Sequence, residues 1–417
     1  MINVNDLKFD CTYFKGYIPC KPNKTHNISC DNCEYYEQDG QKLAPRNNNT
    51  YKDPVFDQFK YLKDIFTICK FENNNLNKYI DENIHKRKTK KILFIKLGAI
   101  GDVIRTTPLI TRYKQEYQDC HFTWITHSPD VLPKDKVDEI YKWNAQSVYE
   151  TIQKEYDIAI NLDKDIEACM LLSDVQAKQK FGFTCSNYHI DIATSNARHK
   201  LITGLFDHIS KENTKNYLEE IFEICHFDFN KQEYMINLNQ DISNIWEKKL
   251  QKLSKWKMII GLNTGCGERW KTRLWPKTYW IELINNLHKL GYFCLLMGGP
   301  DEDDMNRYYA SQTKASYLGH FRLEEFIAIS NNTDIIVTPV SMMMHIALAL
   351  KKQMMLFHNI FNVHEFELYD RGIIIEPTSG CDCYFGNTCS REKSCMYDVS
   401  VQDVLTNIAI LRNNLKK

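Results

Sequence analysis

The chain has 417 residues, of which 43% are hydrophobic and 12% aromatic, so it can bury more than one core and two domains are expected. Basic and acidic side chains both number 53; no overall charge draws the protein to nucleic acid or an anionic membrane, and any phosphate binding must be local. Met1 to Asp10 lacks the apolar core of a secretory signal, and no run reaches the length of a membrane span, which predicts a soluble cytoplasmic protein, although a peripheral membrane contact would leave little trace in composition.

Residues 1–50 lack periodicity, are rich in Cys, Asn and Tyr, and end in Arg46 to Thr50, a linker pattern. A helix is expected over Pro54 to Ile84. KKILFIK, Lys90 to Lys96, is an almost continuous apolar run, as in a parallel strand covered on both faces. LGAIG is the turn after it. Asp102 opens a segment in which Val103, Ile110, Tyr113 and Tyr117 recur at helical spacing, and Pro108 within it implies an early kink or a short first helix. HFTWIT and YDIAINL read as further strands. The alternation restarts with KMIIGLN, a helix over Lys277 to Leu290, YFCLLMGG, a helix from Asp301 and the helix LEEFIAIS. It goes on through the strand TDIIVTP, the helix SMMMHIALAL, the runs MMLFHNI and GIIIEP, and a helix over Val399 to Asn414.

Two βα series of similar size predict an α/β protein of two doubly wound, Rossmann-like halves facing a central cleft, with ligands at the carboxyl ends of the strands. The expected divisions are a Cys-rich segment 1–50, a first half 51–240, a second half 241–380 and a Cys-rich tail 381–417 ending in a helix.

Four stretches carry the candidate chemistry. In KLGAIGDVIRTTP, Lys96 to Pro108, Gly98 and Gly101 permit close backbone approach and the helix opening offers free N–H groups to an anion; Asp102 is equally an ordinary N-cap. In GLNTGCGERWKTRLWP, Gly261 to Pro276, a strand ending in Asn263, Thr264 and Gly265 precedes Arg269, Lys271 and Arg273. That set supplies donors for a diphosphate, or is a solvated basic loop. Gly298, Gly299 and Pro300 form a turn at a strand end just before Glu302. His345 is a ligand-binding group or a packed helix histidine.

Fifteen cysteines in a reducing compartment point to metal ligation rather than disulfides. Cys11, Cys20, Cys30 and Cys33 lie in a segment too small for its own core, which suits a closed structural Zn²⁺ site; iron is the alternative, and His26 could replace one thiolate. Cys381, Cys383, Cys389 and Cys395 form a second set, a metal site or free thiols in a packed loop. One shared ion or two separate ions would both satisfy the count. Cys69, Cys120, Cys169, Cys185, Cys225, Cys266 and Cys294 read as small core residues.

ILFIKLGAIGDVIRTTP, Ile92 to Pro108, resembles the opening of the lipopolysaccharide heptosyltransferase family, glycosyltransferase family 9, and the resemblance runs over roughly residues 91 to 400. It implies the GT-B fold and a sugar, heptose or a related one, moved with inversion from a nucleotide diphosphate donor such as ADP-heptose to a hydroxyl of a glycan or protein acceptor. Asp102 would be the catalytic base. Gly101, Thr264, Gly265, Lys271, Arg273, Gly298, Glu302, Ser341 and His345 would line the donor site, with Arg273 on the diphosphate, Lys271 as second candidate and Glu302 on the ribose. YLGHFRLEEFIAIS would border the base pocket. No catalytic metal is required by these motifs. Cysteines near the second set occur in many relatives, and some protein-modifying branches bind a metal through cysteines. The chain departs from the family at Val340, which stands where relatives carry an acid facing the donor sugar. That opens the site to a less hydroxylated or differently shaped sugar, or to a noncatalytic glycosyltransferase-like partner or sugar-binding module.

Overall fold

The computed structural model describes residues 11, 13, 20–26, 30, 33–37, 89–186, 188–253, 258–267, 270–386 and 388–415. The expected helix over Pro54 to Ile84, the linker before it, Cys69 and Arg269 lie outside the described residues.

Two six-stranded sheets follow one another along the chain. The first contains β1 (Lys90–Ile95), β2 (Cys120–Thr126), β3 (Glu139–Lys142), β4 (Glu155–Asn161), β5 (Gln176–Ser186) and β6 (His189–Ile192), in the order β3-β2-β1-β4-β5-β6. All its pairs are parallel except β5 and β6, where Phe183 faces Ile192 in an antiparallel hairpin. The second contains β7 (Ile259–Asn263), β8 (Phe293–Met297), β9 (Ser316–Tyr317), β10 (Ile335–Pro339), β11 (Gln353–Phe357) and β12 (Gly372–Ile375), all parallel, in the order β12-β11-β10-β7-β8-β9. Strand order reverses between β1 and β4 and again between β7 and β10. Such switch points open a crevice at the carboxyl ends of the strands, where ligands bind.

The alternating strand pattern divides the cores. Ile92 and Phe94 of β1 point to one face, Leu93 and Ile95 to the other, and all four are buried. One apolar cluster runs from the Ile92 and Phe94 face through Val103, Ile104, Met343 and Ile346 to Ile336 and Leu356 of the second sheet, so the halves share a core. On the far face of the second sheet, Trp275, Trp280 and Phe357 pack with Val404, Ile408 and Leu411 of the helix Val401–Asn414, and Trp275 Nε1 donates to the Val399 carbonyl at 2.9 Å. Among the described residues, no helix is long and apolar enough to cross a membrane.

Local structure departs from expectation at Asp102 and in the strands β3, β5, β6 and β9, whereas Pro108 ends a short first helix as expected. The short helix Ile100–Ile104 is capped by Ala99, so Asp102 sits in its first turn and is not its N-cap. Pro108 then begins a new helix, Pro108–Glu116, at a position where its missing N–H costs nothing. The β5–β6 hairpin, β3 and β9 were not expected, because their alternation is weak and β5 is studded with Gln and Lys. The Cys-rich start docks on the first half: Cys20 N donates to Leu205 O at 3.3 Å, and Asp207 N donates to Asn23 Oδ1 at 3.2 Å. Lys24 Nζ reaches the Phe385 carbonyl at 3.3 Å, which brings this segment beside the Cys-rich tail.

In the first half, the helices Arg198–Leu205 and Tyr217–Ile224 are joined by Glu220, whose side chain is 2% exposed. It pairs with Lys200 and accepts from Thr203 Oγ1 at 3.0 Å. Burial opposes its charge, but Lys200, with His199 and Thr203, holds the carboxyl at about 2. Removing one partner of a buried pair strands the other, so Glu220→Gln should cost about 3 kcal/mol. Because the folded value lies below the unfolded one, this stability is present above about pH 4.3 and is lost as pH falls toward 2. Denaturant melts of both forms at pH 7 and pH 3 check it: the gap should narrow at the lower pH.

Candidate active site

The first switch point is built around Asp163, just past β4. Its Oδ2 accepts from the backbone N–H groups of Leu97 and Gly98, the latter at 3.0 Å, and its Oδ1 bonds the buried Lys96 ammonium. This locks the turn after β1 and fixes where the helix Ile100–Ile104 begins. Burial works against the Lys96 charge, yet Asp163, then Tyr217 and Asp102, raise it above the usual lysine range.

Asp102 projects from that helix at the junction of the halves, its side chain 35% exposed. Its Oδ1 pairs with Arg105 Nη2 at 2.8 Å, and no hydrogen bond reaches Oδ2 from any described residue. Burial would raise its pKa, but Arg105, then Lys96, His345 and Lys200, overcome this and hold it at about 2. Asp102 is therefore an ionised carboxylate at any pH at which the protein would act. Arg105 also donates from Nη1 to Glu365 Oε1 at 2.7 Å, and its guanidinium carbon stacks 3.4 Å from the centre of the Tyr217 ring. Lys200 Nζ lies 4.8 Å from the centre of the same ring. Half-buried Lys164 stands beside them; burial, then Lys200, brings its ammonium down to about 8.

From the second half, the helix Met342–Ala349 meets the helix Ile100–Ile104 through His345. A Cβ on Gly101 would fall 2.5 Å from His345 Cδ2, so glycine is needed for this approach. His345 is 7% exposed and its Nδ1 has no hydrogen-bond partner. Burial, then the Arg105 charge, lowers its pKa to about 3, so it is a neutral ring. It packs at the junction, as in the second of the two readings that the sequence leaves open for it.

The second switch point holds the other expected residues together. Asn263 Nδ2 donates to Gly265 O at 2.9 Å, Thr338 Oγ1 at 3.0 Å and Ser341 Oγ at 3.3 Å, which ties the ends of β7 and β10. Thr264 is buried and donates to Asn306 Oδ1 at 2.7 Å. Glu302 braces the loop after β7: Oε2 accepts from Gly299 N at 2.9 Å and Oε1 from Gly267 N at 3.3 Å. A Cβ on Gly265 would collide with its side chain, and one on Gly298 would come within 2.7 Å of its Cβ. An apolar recess lined by Leu296, Met297, Gly298, Leu318, Phe321 and Phe326 opens beside this turn.

Arg273 is bound into the loop after β7. It is 6% exposed; Nε donates to Trp270 O at 3.3 Å, Nη2 to Cys266 O at 2.7 Å, and Nη1 to Val340 O. These bonds tie the loop after β7 to the end of β10, and Lys271 beside it is exposed. Val340 is 8% exposed.

Among the described residues, no group of three or more His, Cys, Asp or Glu could hold a metal ion. Cys11 and Cys383 are buried, and Cys20, Cys30, Cys33, Cys381 and Cys389 are partly buried. In the tail the thiols bond one another, Cys381 with Cys383 and Cys395, and Cys383 with Cys389. Burial raises Cys20, and burial with the neighbouring Cys381 pushes Cys395 up to about 11.

Sequence reading missed Lys96, Arg105, Asp163, Lys164, Lys200, Tyr217 and Glu365. Their only signal was charge in strands and helices that otherwise read as buried. The Gly101 contact yields a direct test. Gly101→Ala should lower stability by about 2 kcal/mol through overpacking, and His345→Ala in the same chain should restore most of it. Denaturant melts of the single and double variants measure this; additive losses would mean that the two residues do not press on each other.

The model of glycosyltransferase family 9 (heptosyltransferase) matches residues 146–372, more than half of the chain. No curated protein matches the sequence. Among solved structures, a family 9 glycosyltransferase from Veillonella parvula is similar at 17% identity and a TM-score of 0.61, covering 79% of this chain and 99% of the other. ADP-heptose lps heptosyltransferase II of E. coli is similar at 16% identity and a TM-score of 0.59, covering 78% and 100%. An E. coli heptosyltransferase solved with ADP-2-deoxy-2-fluoro heptose follows at 14% identity and a TM-score of 0.51, covering 77% and 99%. These likenesses share the paired parallel sheets described above. The chain belongs to glycosyltransferase family 9, the heptosyltransferase family, and is a glycosyltransferase of two Rossmann-like halves.

Proposed function

We propose that the chain transfers a sugar, heptose or a close relative, with inversion from a nucleotide diphosphate to a hydroxyl of a glycan or protein acceptor. The observation that carries this reading is the ionised Asp102 carboxylate, with Oδ2 open, at the junction of the two switch-point crevices. A general base must be charged and within reach of the proton it takes, and Asp102 meets the first condition across the working pH range.

The donor lies on the second half. Its diphosphate faces the exposed Lys271, the loop at Thr264 and Gly265, and the start of the helix Met342–Ala349 at Ser341, whose early N–H groups favour an anion. Glu302, with lone pairs left beyond its two backbone bonds, takes a ribose hydroxyl. The apolar recess beside Gly298 takes the base. The solved E. coli relatives named for ADP-heptose or holding its fluorinated analogue make an ADP-sugar the first donor to try. In the step itself, Asp102 Oδ2 takes the acceptor hydroxyl proton as that oxygen attacks the anomeric carbon. The bond to the diphosphate breaks on the opposite face, and the nucleoside diphosphate leaves with the electron pair. Charge from Lys271 and the helix start stabilises the leaving group. Val340 offers no hydroxyl partner, so selectivity against deoxy donors should be weak.

Two experiments test this. Thermal melts with ADP-, UDP- and GDP-sugars beside the free nucleotides should show a selective rise with one base, because binding to the native state raises apparent stability. Asp102→Asn should then cut kcat at least about 100-fold with donor affinity unchanged; full activity in this variant removes the base assignment. Lys271→Ala should weaken donor binding about tenfold through loss of one charged contact, read from the same melts as a smaller shift.

A further inference from the structure

We propose that Glu365 is a positioning residue: by holding one arm of Arg105 it confines that guanidinium to a single oxygen of Asp102 and leaves the other for the acceptor hydroxyl. The proposal rests on Asp102 as the base. Its physical basis is the fork of the guanidinium, which prefers to bind a carboxylate through two parallel bonds. Asp102 and Arg105 stand three residues apart at the start of one helical turn, a spacing at which the fork can close on both oxygens. It does not do so here. Nη2 is on Asp102 Oδ1 at 2.8 Å, while Nη1 is drawn to Glu365 Oε1 at 2.7 Å. The face of the guanidinium lies on Tyr217 at 3.4 Å, which fixes its plane between the two carboxylates. Its Nε is buried without a partner, so the two terminal nitrogens alone decide where it sits.

Glu365 belongs to the second half, in the short turn Val363–Glu365 after β11. Asn362 at the head of that turn donates to the carbonyls of Ser210 and Asn213 in the first half at 2.6 and 2.7 Å, so the turn is anchored across the junction. The oxygen left open on the base thus depends on a carboxylate 260 positions away in sequence, carried by the half that would bind the donor. Without Glu365, Arg105 is free to chelate Asp102 and cover Oδ2. A lysine at 105 still neutralises Asp102 but, as a point charge, cannot cover both oxygens.

The test is a double-mutant cycle on the full chain, read as kcat and donor KM with the donor found by the nucleotide-sugar melts. Glu365→Ala should lower kcat about tenfold with donor KM little changed, and in an Arg105→Lys background the same change should cost less than about twofold. Rescue by the weaker-binding lysine is the outcome that a merely structural role would not give. Equal loss in both backgrounds, or no loss in either, overturns the proposal. Glu365→Gln, which keeps size and one acceptor, should fall between wild type and Glu365→Ala, and it stands in if the alanine variant does not fold. Asp102→Asn run beside the cycle separates the two layers: if it stays active, the base assignment fails and this proposal with it; if it is inactive while the cycle shows no coupling, this proposal fails alone.

Discussion

The contact between Gly101 and His345 sets the distance between the two halves, and the chemistry of the junction follows from it. A glycine on one helix and a flat, neutral ring on the other let their backbones approach more closely than any side chain at 101 would allow. At that separation Arg105 of the first half can reach Glu365 of the second, and Asp102 sits within the influence of charges from both. The apolar cluster through Val103, Ile104, Met343 and Ile346 surrounds the contact and excludes water from one side of it. Low polarisability on that side strengthens every ion pair on the other. His345 is therefore better understood as a spacer than as a ligand.

In the first half, several cations surround the single carboxylate Asp102. Lys96 is committed to Asp163 and Lys200 to Glu220, and each pair also positions backbone, the first the turn after β1 and the second two helices. Together with Arg105 they keep Asp102 ionised despite its burial. The cost is basicity, since a carboxyl held at about 2 has little appetite for a proton in the resting protein. Under the proposed mechanism, basicity recovers when the acceptor enters and the hydroxyl proton becomes acidic in the transition state, which is when a base with one uncovered oxygen has its advantage.

In the second half, one motif residue has a structural task beside the role the resemblance implies. Arg273 stands where the resemblance expects a diphosphate ligand, yet its nitrogens bond the carbonyls of Trp270, Cys266 and Val340. The arginine ties the loop after β7 to the end of β10, a task that its planar set of donors suits and that residue type alone does not reveal. One of those carbonyls belongs to Val340, the position that lacks the family's acid. The backbone there is held by Arg273 through the carbonyl, so the side chain at 340 can differ without loosening the loop that carries it.

How much of this was legible follows from where the information lies. Strands such as β1, β7 and β10 are buried on both faces and leave short apolar runs that periodicity detects. The β5–β6 hairpin was invisible because Gln176, Lys178, Gln179 and Lys180 face solvent or partner acids and leave too little apolar pattern. Asp102 emerged through resemblance, since its spacing equally suited an N-cap, and the helix proved to be capped one turn earlier at Ala99. For the cysteine sets, spacing records only that thiols are near in sequence, whereas ligation needs them directed at one point, and among the described residues no group of three or more possible ligands converges. Arg105 and Glu365 were beyond reach for a different reason: a pairing across 260 positions is fixed by how two sheets face each other, and no local pattern in either segment encodes it. What sequence does carry is the permission for that pairing, a glycine at 101 and an arginine one turn on, and the meaning of both appears only when the second half is set against the first.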